Sequence, residues 1–166
     1  LKRLPRYLNV EESKRLLNSV QGNFSKRDFA IITIFLNCGL RLSELVGINL
    51  SNIKNGNTLS VIGKGGKERS IPLNNACINA IKDYLENERP RDGVKDKNAL
   101  FLSSRKQRIS KESVQKIVKK YIRAAGLDPE RYSTHKLRHT AATLMYKYGN
   151  VDIRTLQELL GHESIS

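Results

Sequence analysis

The sequence predicts a mainly α-helical domain of the α+β class, with one small antiparallel sheet. Apolar residues recur at helical spacing in separate segments, among them Cys77, Ala80, Ile81, Tyr84 and Leu85, and Val114, Ile117, Val118, Tyr121 and Ile122. One stretch alone, residues 55–71, carries hairpin chemistry: a turn signal, then two short runs joined by glycines. A chain of 166 residues, 39% of them hydrophobic, suits one compact core.

Leu1 to Leu8 is basic, broken by Pro5, and reads as a linker preceding a domain over residues 9–166. The lack of an initiator methionine makes the chain an expected piece of something longer. Asn9-Val10-Glu11-Glu12 offers an N-cap with Glu at N3, opening a helix to about Val20. Ser25 is expected to cap a second helix, apolar on nearly every face from Phe29 to Leu36 and therefore central. Gly39 ends it and leaves Arg41 just past the terminus, where Ser43 can cap a short turn holding Glu44 and Leu45.

Asn55-Gly56-Asn57 is a turn. Thr58 to Ile62 and Glu68 to Ile71 read as strands joined by Gly63-Lys64-Gly65-Gly66-Lys67. After the Cys77 helix, Pro90 to Asn98 is a polar loop and Ala99 to Ser103 a candidate short strand. Ser133-Thr134 starts a helix with Leu137, Ala141, Leu144 and Tyr148 inward, broken by Gly149-Asn150. Asp152 to Leu160 forms one more helix, with Gly161 as its C′ residue aiming His162 off the end.

Lys and Arg number 30 against 16 Asp and Glu, a formal net charge of +14. That excess favours a polyanion, because neutralised phosphates release condensed counterions. The Phe29–Leu36 run is too short to cross a bilayer, and no membrane partner is expected. Cys38 and Cys77 form no metal-ligand spacing and read as small buried hydrophobes of a reducing, cytosolic compartment. Clustered carboxylates for a two-metal nuclease, zinc-ligand patterns and a GxSxG elbow are all absent from the sequence.

The chemistry concentrates in two motifs that hold all three histidines: His135-Lys136-Leu137-Arg138-His139 and Leu159-Leu160-Gly161-His162. His135 and Arg138, at i and i+3, share one face near a helix start, where an anion is already favoured. Arginine offers a planar fork for two phosphate oxygens, and histidine moves a proton near neutral pH. Arg41 stands between apolar neighbours at the end of the most apolar helix, either on the surface or aimed from a buried position into a cleft. Glu44 reads as its orienting partner or as a local salt-bridge residue. Lys64, Lys67 and Arg69 surround the glycine hairpin as phosphate contacts, and one of them is a candidate for catalysis.

The segments Gly39 to Leu45, Val61 to Arg69, Thr134 to Thr140 and Leu159 to His162, in this order, resemble the catalytic domain of tyrosine recombinases, in the bacterial Xer and phage or transposon integrase branch. The resemblance implies that Arg41, Arg138 and His162 bind the scissile DNA phosphate. It implies Lys64 as general acid toward the leaving 5′ oxygen and His135 as an aid to proton movement, with Glu44 and His139 in support. It implies double-stranded DNA and further recombinase subunits, a tetramer on DNA, as partners, and neither metal nor ATP as cofactor. None of the six tyrosines follows Leu159–His162, so the resemblance implies a catalytic domain short of its nucleophile and of an N-terminal DNA-clamping domain. The rival expectation is a non-catalytic DNA-binding regulator of the same fold. The location expected is cytoplasmic, at the bacterial nucleoid.

Overall fold

A computed structural model describes residues 7–148. The expected helix over 152–160, the break at Gly149-Asn150, the inward side chain of Tyr148, and the site residue His162 lie outside the described residues, as do residues 1–6. Within them the architecture is the expected one: six helices and a three-stranded antiparallel sheet in the order β1-β2-β3.

Helix α1 (Val10–Asn18) opens on a complete capping box: the Glu12 N–H donates to the Asn9 side chain at 2.7 Å, and the Asn9 N–H to the Glu12 carboxylate at 3.0 Å. It ends earlier than Val20, because the Ser19 hydroxyl takes the Leu16 carbonyl at 2.6 Å. Helix α2 (Ser25–Cys38) is the central element, buried from Ala30 to Cys38 and packed against α1, α4 and α6. Ser25 does not cap it; Ser25 is its first helical residue. The cap comes from elsewhere: the Glu88 carboxylate accepts the N–H of Lys26 at 3.1 Å and of Arg27 at 2.7 Å. At the far end Gly39 adopts φ 65°, the left-handed turn that stops the helix.

Helix α3 (Leu42–Val46) follows directly. Ser43 is inside it rather than at its cap; Arg41 holds the cap position, and Glu44 accepts the Arg41 N–H at 2.8 Å. Then come β1 (Ile53–Lys54), β2 (Thr58–Ile62) and β3 (Glu68–Pro72), with Ile53 opposite Leu59 and Val61 opposite Arg69. Strand β1 is an addition to the two expected strands. Its two residues are extended because Asn55 and Gly56, at φ 53° and 70°, turn the chain back onto β2.

Helix α4 (Asn75–Asn87) is capped by Asn74, whose side chain accepts the Cys77 N–H at 3.0 Å. Cys38 and Cys77 are both buried, with their sulfurs 3.8 Å apart across the α2–α4 seam. The segment 99–103 is not a strand: it bends at Leu100 and Phe101 and makes only isolated bridges, Asn49 to Ala99 and Leu102 to Arg108. Three of its carbonyls go to arginines: Arg89 donates to Ala99 at 2.7 Å and Leu100 at 3.2 Å, and Arg27 to Leu102 at 3.1 Å. Side-chain donors there replace part of the ladder a neighbouring strand would supply.

Helix α5 (Lys111–Ala124) is capped by Ser110 and buries Val114, Val118, Tyr121 and Ile122 against α1 and α3. Helix α6 (Thr134–Tyr148) buries Leu137, Ala141 and Leu144 and packs on α2. The Thr140 hydroxyl accepts the Leu8 N–H at 2.9 Å, which draws the fully buried Leu8 into the core.

Candidate active site

Two helix ends build the site. Where α2 stops at Gly39, a carbonyl that can no longer find an N–H four residues on is left open. Arg138, one turn into α6, supplies the donor: its Nε–H reaches the Gly39 oxygen at 3.0 Å. That bond uses one edge of the guanidinium and leaves both Nη groups for a ligand. Two residues past Gly39, Arg41 enters the same place.

A cavity of ≈ 380 Å³ results, lined by Leu40, Arg41, Leu42, Ser43, Lys111, Thr134, His135 and Arg138. Three of the residues expected from the sequence therefore share it: Arg41, His135 and Arg138. Arg138 is half-buried, while His135 and Arg41 are exposed. Of the two placements left open for Arg41, the structure takes the exposed one, on the cavity wall. The left-handed turn at Gly39 swings the chain so that Leu40 and Leu45 face the core, and Arg41 faces the open cavity.

Glu44 resolves the two roles left open for it. Its buried carboxylate accepts the Arg41 backbone N–H and is spanned by the guanidinium of Arg69, with Nη2 to Oε1 at 3.1 Å and a second contact from Nη1 to Oε2. Burial pushes this carboxyl up. The Arg69 hydrogen bond, the Arg41 N–H and the two arginine charges outweigh that and hold it below the ordinary glutamate range. Arg69, expected as a phosphate contact, is thus engaged with Glu44, which lifts its own already high value further.

Lys64 and Lys67 are exposed on the β2–β3 connection and are not among the cavity-lining residues. The root of that connection is fixed beside α3. A Cβ placed on Gly63 would come within 3.1 Å of Arg69 Nη1 and 3.2 Å of Glu44 Oε2, so any side chain here would have to push that pair aside by a few tenths of an ångström. The Gly63 N–H then closes the loop on the Lys67 carbonyl at 2.8 Å. His139 lies away from the cavity lining, its ring edge-on to Tyr7 at 6.1 Å.

Ser43 and Lys111 line the cavity without having been singled out in the sequence. Lys111 follows the Ser110 cap, and a residue just inside a helix start is a recognisable position. Nothing local says which of several helix starts faces Arg41. Among the described residues, no cluster of three or more His, Cys, Asp or Glu could hold a metal, and no helix is long and apolar enough to cross a membrane.

Comparison with known proteins agrees with this geometry. The model of the phage integrase family matches residues 6–166. The tyrosine recombinase XerC of Caldanaerobacter subterraneus subsp. tengcongensis is 65% identical over 164 residues, covering 99% of this chain and 46% of the relative. The tyrosine recombinase XerD of Proteus mirabilis is 39% identical, covering 99% of this chain and 54% of the relative. The chain therefore spans about half the length of the curated relatives it matches. Among solved structures, XerA recombinase superposes with a TM-score of 0.77 at 28% identity, over 96% of this chain and 57% of that one. The XerH recombinase bound to a palindromic difH substrate, a post-cleavage complex, gives 0.74 at 31%, over 96% and 47%. The mainly helical fold with a small antiparallel sheet is thus the one expected from the motifs.

Proposed function

Because this chain belongs to the phage integrase family, we propose that it carries the catalytic pocket of a site-specific tyrosine recombinase, which cuts and rejoins DNA strands through a 3′-phosphotyrosine. The observation that carries this reading is the shared cavity of Arg41, His135 and Arg138, with Arg138 pinned to the Gly39 carbonyl. Two guanidinium groups and an imidazole around a space of ≈ 380 Å³ suit a phosphodiester and its flanking sugars.

In the reaction, a tyrosine oxygen attacks the scissile phosphorus, and the 5′ oxygen leaves. Negative charge gathers on the two non-bridging oxygens. The free Nη groups of Arg138 and the guanidinium of Arg41 neutralise that charge, with His162 as the third phosphate contact. Removing one such donor costs about 10²–10³ in rate. Lys64 protonates the departing 5′ oxygen, and His135 shuttles a proton at the phosphate. Bond energy stays in the phosphotyrosine ester, so rejoining needs no nucleotide hydrolysis. Glu44 acts through Arg41, fixing its backbone, and His139 supports α6 through Tyr7. Lys67 adds a backbone contact from the hairpin.

The substrate is double-stranded DNA, and strand exchange takes place between subunits of a tetramer in the bacterial cytoplasm. The 166 residues alone should bind DNA without forming a covalent adduct. The test is adduct formation by a longer protein that joins this chain to a nucleophilic tyrosine, on a nicked duplex carrying the site it selects from a random-sequence pool. Arg138→Ala should abolish the adduct and retain much of the DNA binding. Undiminished adduct would overturn the assignment.

A further inference from the structure

Lys111 is the one cavity-lining cation that the reading above leaves without a role. It is exposed, and among the described residues its ammonium makes no ion pair. It sits at the first position of α5, the helix that packs against α3, so it enters the cavity from the α3–α5 seam. Arg138 is tied to the end of α2 at Gly39, and Arg41 holds the cap of α3 two residues further on.

We propose that Lys111 is a DNA-backbone contact of this pocket, holding the phosphate next to the scissile one and so setting the strand in place; the proposal rests on the recombinase reading. The size of the cavity supports it. At roughly 30 Å³ for each water in the liquid, a space of ≈ 380 Å³ is far larger than one phosphate group, leaving the lining beyond the two arginines to meet the next stretch of backbone. The chemistry of the side chain agrees. An ammonium on a flexible stem is a point charge with no fork, which suits neutralising a passing phosphate rather than clamping the reacting one. Consecutive phosphates of one strand advance about 3.4 Å along the duplex, within the reach of a lysine at the rim. Lys111 is therefore a positioning residue.

The test uses the protein and a short random-sequence duplex, with affinity measured by fluorescence anisotropy across salt concentrations. Each lost phosphate contact lowers the slope of log affinity against log salt by about one. Lys111→Ala should do this, and Lys111→Arg should restore it. Lys119→Ala, an exposed lysine two turns further along the same helix, should leave the slope unchanged. A parental slope in Lys111→Ala, or an equal drop in Lys119→Ala, would overturn the proposal, the latter by reducing it to net charge. If instead the parent protein shows no salt-dependent duplex binding, the recombinase reading itself fails.

Discussion

Both oxygens of the buried Glu44 carboxylate are engaged by Arg69, which lies 25 residues further along the chain on β3. Arg69 is partly exposed, whereas Glu44 is almost wholly enclosed. The pair joins the hairpin to the helix turn that carries Arg41, so a contact outside the cavity fixes one of its walls.

That pair should make stability sensitive to acid. The folded Glu44 carboxyl is held below its ordinary value. Its contribution is therefore fully present above the ordinary glutamate range and is lost as pH falls through the lowered value. Glu44→Gln keeps the shape without the charge and should cost roughly 1–3 kcal/mol near neutrality. Urea unfolding at pH 7 and pH 3 reads the difference. The gap between variant and parent should close in acid, and an equal gap at both values would refute the charge argument.

Gly63 offers a separate route to the same pair. In Gly63→Ala the new methyl crowds Arg69 and Glu44 together. Arg69 can swing outward, but the enclosed carboxylate cannot. The substitution should cost about 1 kcal/mol, with much of that cost gone in an Arg69→Ala background, since contacting residues do not add independently. A double-mutant cycle on thermal or urea stability measures the coupling. Additive costs would show that the glycine is needed only for the turn.

Arg108 holds the chain after α3 to the polar loop. Its guanidinium donates to the Val46 and Ile48 carbonyls at 2.9 and 3.1 Å, contacts the Asn49 side chain, and reaches Asp96 at 3.0 Å. Arg108→Ala leaves several acceptors without a donor and should destabilise the protein by about 2 kcal/mol. Arg108→Lys should rescue little, because three rotatable protons cannot reproduce the fork. Limited proteolysis should move to residues 90–98 in both variants. Cleavage patterns identical to the parent would show that the loop is held by other means.

What could be read from the sequence follows the range of the interactions. The Asn9–Glu12 capping box and the Gly39 stop are local, and both stood out as residue patterns. The start of α2 did not, since its cap is a carboxylate over sixty residues away on the far side of α4. Segment 99–103 has the apolar composition of a strand but satisfies three of its carbonyls with Arg27 and Arg89, which no period-2 pattern encodes. The residues proposed to bind phosphate were legible because charge amid apolar neighbours is conspicuous. The placement of Arg41 stayed open for the same reason, since its neighbours are apolar but the turn before it faces outward. Lys111 looked like any other lysine until α5 was set beside α3.

The bond from Arg138 to Gly39 spans 99 residues. A ribosome adding roughly 5–20 residues each second delivers Arg41 several seconds before Arg138. Throughout that interval the growing chain has one guanidinium of the pair and no partner for the Gly39 carbonyl. Arg41 and Arg138 can come to line one cavity only after α6 has docked on α2.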